Sequence, residues 1–147
     1  MLDVTYEAVD DLPPGRLATI DEDRGRIRVK VDAAAALADV VHQLNVEIRH
    51  LLTHSDWFQL WGDEIVSRNT PDAPLGVEYS LHRLVPDTAI LLEDKGCVRV
   101  CIDPDLSTTQ FAAVMNPVTE NILAGGHWFQ MYGGEIVDNS PEPVTRV

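Results

Sequence analysis

The side chains best suited to recognition or catalysis sit in one motif that occurs twice. It reads Trp-Phe-Gln, two residues, Gly, one residue, Glu-Ile-Val, and its two copies begin at Trp57 and Trp128. Seven of the ten positions from Trp57 to Val66 are identical in the second copy. Aromatic rings and amides often carry the binding energy of an interface. We therefore predict that binding involves Trp57, Gln59, Trp61, Glu64, His127, Trp128, Gln130, Tyr132 and Glu135.

The same motif permits two other interpretations. Large aromatic side chains also fill protein cores, and we expect Trp57 and Trp128 to have structural roles in equivalent places. Glu64 and Glu135 occupy equivalent positions, and a twofold arrangement that brought them together would raise the pKa of one carboxyl, as general acid–base catalysis requires. Alternatively each glutamate pairs across a strand or faces solvent. No residue is assigned a catalytic role from the sequence alone.

A histidine cluster suggests a metal site, but the repeat argues against it. Glu47, His50 and His54 share one face of a predicted helix. The equivalent residues of the second half are Val118, Asn121 and Gly125, which are not metal ligands as a set. We expect a solvent-exposed helix face here, with neither a metal nor a cofactor bound.

The motif belongs to a longer repeat that predicts how the chain is organised. A shift of 71 residues also aligns residues 22–32 with 93–103 and Leu44-Asn45 with Met115-Asn116, without gaps. Residues 1–70 and 76–147 are therefore predicted to be two repeat units packed as one domain. The proline-rich residues 71–75 form the linker between them.

Each unit is predicted to be β-β-α-β-β, with one helix and antiparallel strands, related to its copy by a pseudo-twofold axis in an α+β fold. Alternating residues in 26–31 and a turn at Arg24-Gly25 indicate a hairpin. Apolar residues spaced by three and four from Leu37 to Leu52 predict the helix. An additional leading strand is suggested in each unit, at residues 6–9 and 77–81. Asn45 and Asn116 are interpreted as buried amides that tie each helix to neighbouring backbone, or as markers of a kink.

Three local expectations can be checked directly. Asp32 and Asp103 are placed as helix N-caps, with Pro104 at the first helical position. Pro117 is expected to kink or break the second helix, with Asn116 capping the restart. Residues 57–61 and 64–67 are predicted to form a hairpin, the alternative being a short helix that begins at Asp56.

Composition restricts the functional class. The chain has 147 residues and a net charge of −13, which disfavours nucleic acid and anionic membranes as partners. It shows neither a long apolar segment nor a signal-peptide pattern, so we expect a cytoplasmic protein. These features favour an acidic binding or assembly module whose partner is another protein or a second copy of the chain, and the acidity suits a basic partner. The alternative is a small enzyme with its site in the groove between the repeats, using Glu64, Glu135 and His127.

Overall fold

A computed structural model describes residues 3–54, 56–61, 64–71, 74–83, 88–125, 128–132 and 135–138. The fold is α+β, with two helices and three small sheets in these residues. In chain order the elements are β1 (Asp3–Val9), β2 (Ala18–Asp23), β3 (Arg26–Asp32), α1 (Leu37–His54), β4 (Asp56–Trp61), β5 (Glu64–Ser67), β6 (Gly76–Leu81), β7 (Ala89–Asp94), β8 (Cys97–Ile102), α2 (Thr108–Gly125), β9 (Trp128–Tyr132) and β10 (Glu135–Asp138).

Both halves contribute a three-stranded sheet with the same strand arrangement. The orders are β1-β3-β2 and β6-β8-β7. The outer strands β2 and β7 run antiparallel to the central strand, whereas β1 and β6 run parallel to it. The expectation of purely antiparallel sheets is therefore wrong. It is wrong because the leading strands, which the sequence only suggested, are full members of the sheets. Each leading strand pairs in parallel with the central strand of its sheet, and the chain reaches that central strand through a longer connection that contains the other outer strand.

Matching turns connect the antiparallel strands of these sheets. Arg24 and Gly25 have φ values of 50° and 89°, and Lys95 and Gly96 have 48° and 93°. Two successive positive φ angles define the turn that suits the twist of a two-residue hairpin. Gly96 is further constrained, because a Cβ there would lie 2.4 Å from Val66 Cγ1. The predicted β2–β3 and β7–β8 hairpins are confirmed.

The third sheet joins the two halves. Its order is β10-β9-β4-β5, all antiparallel. Phe58 of β4 lies opposite Phe129 of β9, its equivalent under the 71-residue shift. The β4–β5 and β9–β10 registers also match under that shift. The hairpin at residues 57–67 is confirmed over the short helix, although its turn, residues 62–63, lies outside the described residues.

Each helix packs on its own half and on the other half. α1 contacts β2 and β6, and α2 contacts β7 and β1. The Asn45 amide accepts a hydrogen bond from the Tyr79 N–H at 2.7 Å and donates to the Tyr79 carbonyl at 2.8 Å. Asn116 makes the same pair of bonds to Tyr6, at 2.7 and 3.1 Å. The interpretation of both asparagines as amides tied to neighbouring backbone is confirmed, and in each case that backbone belongs to the other half.

The helix ends differ from the sequence prediction. Asp32 and Asp103 accept hydrogen bonds from the N–H groups two residues on, at 3.0 Å each, and so stabilise turns ahead of the helices. The N-cap of α2 is Ser107, whose hydroxyl accepts from the Gln110 N–H at 3.1 Å while the Gln110 side chain accepts from the Ser107 N–H at 2.9 Å. This is a reciprocal capping box. The predicted caps at Asp32 and Asp103, and Pro104 as the first helical residue, are wrong.

Of the two effects predicted for Pro117, the break is wrong, because α2 continues from Thr108 to Gly125, whereas the kink stays a prediction. Proline removes the N–H that would bond the carbonyl of Ala113. Both Ala113 and Pro117 lie on the exposed side of the helix, where water can satisfy that carbonyl. Asn116 does not cap a restarted helix, since its amide is bound to Tyr6.

Candidate binding site

The aromatic motif of the first half points inward. Trp57 is buried and belongs to the hydrophobic core. Gln59 is buried as well, and its amide donates a short hydrogen bond to Glu93 of β7. The side chains of Trp57 and Gln59 are therefore in the interior of the protein and not on its outer surface. Nothing is described of the side chains of Trp61, Trp128, Gln130, Tyr132 and Glu135, and His127 lies outside the described residues altogether.

The structure does not bring the two motif glutamates together. Glu64 lies on β5 and Glu135 on β10, the opposite edges of the four-stranded sheet. Three strand spacings of about 4.8 Å separate those edges, or about 14 Å. Glu64 is exposed and pairs with Lys95 Nζ at 2.9 Å. This ion pair raises the pKa of Lys95 through the hydrogen bond to Glu64. The arrangement offers no support for a shared proton between the two carboxyls.

A partly open cavity of about 120 Å³ lies between the two halves, among buried and half-buried side chains. Its wall is built from the inner faces of the two three-stranded sheets, the C-terminal parts of both helices, and Trp57. The surface that the lining residues present to the cavity is almost wholly hydrocarbon. The lining includes Tyr6, Ile48, Trp57, Val77, Tyr79 and Thr119. A site between the halves was predicted only for the enzyme alternative, with Glu64, Glu135 and His127, and it stays a prediction. Of the motif residues whose side chains are described, only Trp57 lines the cavity.

Two tyrosines at this wall bind each other. The hydroxyl groups of Tyr6 and Tyr79 lie 2.7 Å apart, and both residues are buried. Burial raises the pKa of Tyr6 to about 12, although the hydrogen bond with the Tyr79 hydroxyl opposes part of that increase. Burial is also the main reason that the pKa of Tyr79 rises well above 10, and the Tyr6 hydroxyl adds to it. Both phenols are therefore neutral at physiological pH.

Two further polar groups border the cavity without hydrogen-bond partners. They are the indole Nε1 of Trp57 and the hydroxyl of Thr119, and both atoms are fully buried. A buried donor without a partner lowers the stability of the folded state by about 1–3 kcal/mol, so such groups are uncommon in folded proteins. Because these atoms have almost no accessible surface, the cavity presents the hydrocarbon parts of both side chains rather than their polar atoms.

The described residues contain no metal centre. No group of three or more His, Cys, Asp and Glu side chains converges among them. His50 and His54 are exposed, with ring centroids 4.1 Å apart, and His54 Nδ1 lies 2.9 Å from the His50 carbonyl. The prediction of a solvent-exposed helix face is confirmed for His50 and His54, whereas Glu47 is half-buried and pairs with Arg16.

Comparisons with protein-family models, curated protein sequences and solved structures find no match to this chain. Within the described part of the chain, neither helix is both long and apolar enough to cross a membrane. The site must therefore be interpreted from its own geometry.

Sequence reasoning missed Tyr6, Tyr79 and Thr119. Tyr6 and Tyr79 occupy equivalent positions in the two sheets. Tyr6 lies opposite Val29, and Tyr79 lies opposite Val100, which is the equivalent of Val29 under the 71-residue shift. The two tyrosines are 73 residues apart instead of 71, because Tyr6 lies 12 positions before the first residue of β2 and Tyr79 lies 10 positions before the first residue of β7. An ungapped comparison cannot align them. A comparison allowing one two-residue gap would have revealed the shared Tyr.

Proposed function

We propose that this chain is a binding module that receives a small molecule in the cavity between its two halves. The observation that carries the proposal is the cavity itself, which takes its wall from both sheets and both helices. Protein interiors are packed almost without voids larger than a water molecule. A preformed apolar cavity between two packed units is a common location for a ligand.

We further propose that the two halves arose by duplication of one β-β-α-β-β unit with a leading strand, and that a pseudo-twofold axis relates them. The matching hairpin registers, the Phe58–Phe129 pairing and the reciprocal asparagine bonds support this proposal. Under this arrangement the cavity lies where equivalent parts of the two units meet. Its ligand would contact both units at once.

The chemistry at the wall favours binding over catalysis. In the part of the lining that the structure describes, the titratable side chains are Tyr6 and Tyr79, and their raised pKa values keep them protonated near neutral pH. General acid–base catalysis works best with a group whose pKa lies near the operating pH. Glu64, the described member of the catalytic alternative, is exposed and paired with Lys95 outside the cavity.

A cavity-filling variant tests the proposed function. Val77→Phe adds an aromatic ring at the cavity wall, whereas Val46→Phe adds the same ring at an exposed position of α1. We expect toluene to perturb the NMR signals of Ile48 and Thr119 in the wild-type protein and in the Val46 variant, but not in the Val77 variant. Unchanged spectra of folded wild-type protein at saturating toluene would reject the proposal.

A second candidate function, self-association, is favoured by the outer face of the second half. Ile90 and Leu92 on β7 are 45% and 52% exposed. The equivalent positions of the first half hold Thr19 and Asp21. Exposed apolar patches often mark interaction surfaces. Glu78 and Arg99 lie opposite each other on this face, so their charges offset and a second acidic copy is not repelled here. We propose a second copy of this chain as its partner.

Light scattering coupled to gel filtration checks this second function. Leu92→Asp is expected to convert a dimer into a monomer, whereas Ile65→Asp, which alters an exposed apolar residue on β5, is expected to leave the dimer intact. A wild-type protein that is monomeric at every accessible concentration would exclude self-association.

A further inference from the structure

From the cavity wall we infer the chemical class of the ligand: a neutral hydrocarbon group about the size of one benzene ring, bound without hydrogen bonds. This inference rests on the proposed binding function and narrows it. Its evidence is the size of the cavity and the state of each polar group around it.

The size sets an upper limit on the enclosed group. An apolar cavity of about 150 Å³ is known to hold benzene or xenon and to remain dry when empty. The cavity here, at about 120 Å³, is slightly smaller. A single six-membered ring or a short branched alkyl group therefore fills the space within the wall, whereas the second ring of a fused bicyclic compound would have to lie outside it.

The lining excludes charge. Among the described residues, neither a carboxylate nor a cationic side chain lines the cavity. A charged ligand would lose its hydration without gaining an ion-pair partner, at a cost far above that of a single hydrogen bond. The net charge of −13 adds repulsion against anions.

The polar groups at the wall are unavailable to a ligand. The Tyr6 and Tyr79 hydroxyls are bound to each other at 2.7 Å. Trp57 Nε1 and Thr119 Oγ1 are unpartnered, yet both atoms are buried in the wall behind its hydrocarbon surface. A ligand hydroxyl would therefore leave water and find no partner, which disfavours even a neutral polar molecule of the right size.

A series of ring compounds of nearly equal size tests the inference. Toluene, phenol, benzylamine and benzoate are titrated into the wild-type protein, and binding is measured by NMR shifts of the Ile48 and Thr119 signals. We expect toluene to bind at least about tenfold more tightly than phenol, which corresponds to about 1.4 kcal/mol, and the two charged compounds not to bind.

The possible results separate this inference from the proposed function. If phenol or a charged compound binds as tightly as toluene, the ligand class is wrong but the cavity remains a binding site. If no compound perturbs the folded protein, both fail. Thr119→Val, which replaces the hydroxyl with a methyl group, should leave the preference for toluene unchanged. A reduction of phenol binding in that variant would show that the wall does offer a hydrogen bond, and would overturn the inference.

Discussion

At the scale of single residues, the Tyr6–Tyr79 hydroxyl pair is the polar contact that links the inner faces of the two halves at the cavity. Each tyrosine sits on the strand that runs parallel to the centre of its sheet, and Tyr6 also packs edge-on against Phe111 at a centroid distance of 6.0 Å. The pair satisfies one hydroxyl with the other. Removing one oxygen therefore leaves its partner without that bond.

Single and double substitutions of this pair should be strongly non-additive. We expect Tyr6→Phe and Tyr79→Phe each to lower the free energy of unfolding by about 1–2 kcal/mol, because a buried hydroxyl is left unpartnered. The double variant removes both hydroxyls and should cost less than the sum of the single variants. Urea unfolding of the four proteins measures this coupling. Strictly additive losses would show that the two hydroxyls do not interact.

The same pair predicts how stability depends on alkaline pH. The pKa of Tyr6 is about 12 in the folded protein against 10.0 for an ordinary tyrosine. A raised pKa means that the folded state holds its proton more tightly than the unfolded state. This contribution is fully present below pH 10 and is lost as the pH rises toward 12, at about 1.4 kcal/mol per pH unit for each such group.

Thermal unfolding followed between pH 8 and pH 12 checks this expectation. The wild-type protein should lose stability mainly above pH 10, and the double Tyr6→Phe, Tyr79→Phe variant should lose much less. An equal decline in both proteins would assign the alkaline sensitivity to other groups.

At the scale of elements, the two asparagines connect each helix to the free edge of a strand in the other half. A strand at the edge of a sheet has backbone groups that no neighbouring strand satisfies. Asn45 and Asn116 satisfy both the N–H and the carbonyl of Tyr79 and Tyr6. Each asparagine amide thus makes the two backbone hydrogen bonds that a residue of a neighbouring strand would otherwise make.

Asn45→Ala and Asn116→Ala are each expected to destabilise the protein by about 2–3 kcal/mol, because two part-buried backbone groups lose their partners. Asn45→Asp provides a matched test, since a carboxylate accepts from the Tyr79 N–H but cannot donate to its carbonyl. Its stability should fall below that of the wild type. Unfolding by guanidinium chloride measures the losses, with the exposed α1 residue Val46→Ala as the control. Losses no greater than that of the control would contradict this role.

The elements also show which features could be predicted from the sequence. The hairpins followed from Asp23-Arg24-Gly25, Asp94-Lys95-Gly96 and residue alternation, since those are local signals. α1 matched its apolar spacing, and it spans Leu37–His54. Pro117 misled because its effect depends on whether Ala113 faces water, which only tertiary packing decides. The caps misled because Asp103 satisfies a turn while Ser107, four residues later, begins the helix.

The candidate site was less predictable than the elements. The repeat of Trp57 as Trp128 identified one wall residue, but its burial and its neighbours depend on how β4 meets β9. Tyr6 and Tyr79 gave no motif, since a single aromatic residue in a short strand is common. The cavity is formed by what the side chains of both sheets leave unfilled, and no local pattern encodes a void.

At the scale of the whole molecule, the two halves share one hydrophobic core and one sheet. The core cluster draws residues from both halves, including Val29 and Leu44 from the first and Val100 and Phe111 from the second. The four-stranded sheet crosses between them through β4 and β9. Neither half can bury its helix without the other, so we expect a single cooperative unfolding transition.

Calorimetry tests this cooperativity. The ratio of calorimetric to van't Hoff enthalpy should be close to one, as for other two-state domains. Fluorescence and far-ultraviolet circular dichroism should give the same midpoint. Two resolved transitions, each assignable to one half, would show instead that the halves are energetically independent.

The reciprocal placement of α1 on β6 and α2 on β1 has a consequence for splitting the chain. Because each helix completes the other half, a polypeptide ending near Thr70 and a second one starting near Leu75 would each expose the surface that the other recognises. Such fragments would be unstructured when separate and would bind each other specifically and fold when mixed. The connecting residues 71–75 would then serve mainly to keep the local concentration of each fragment high around its counterpart.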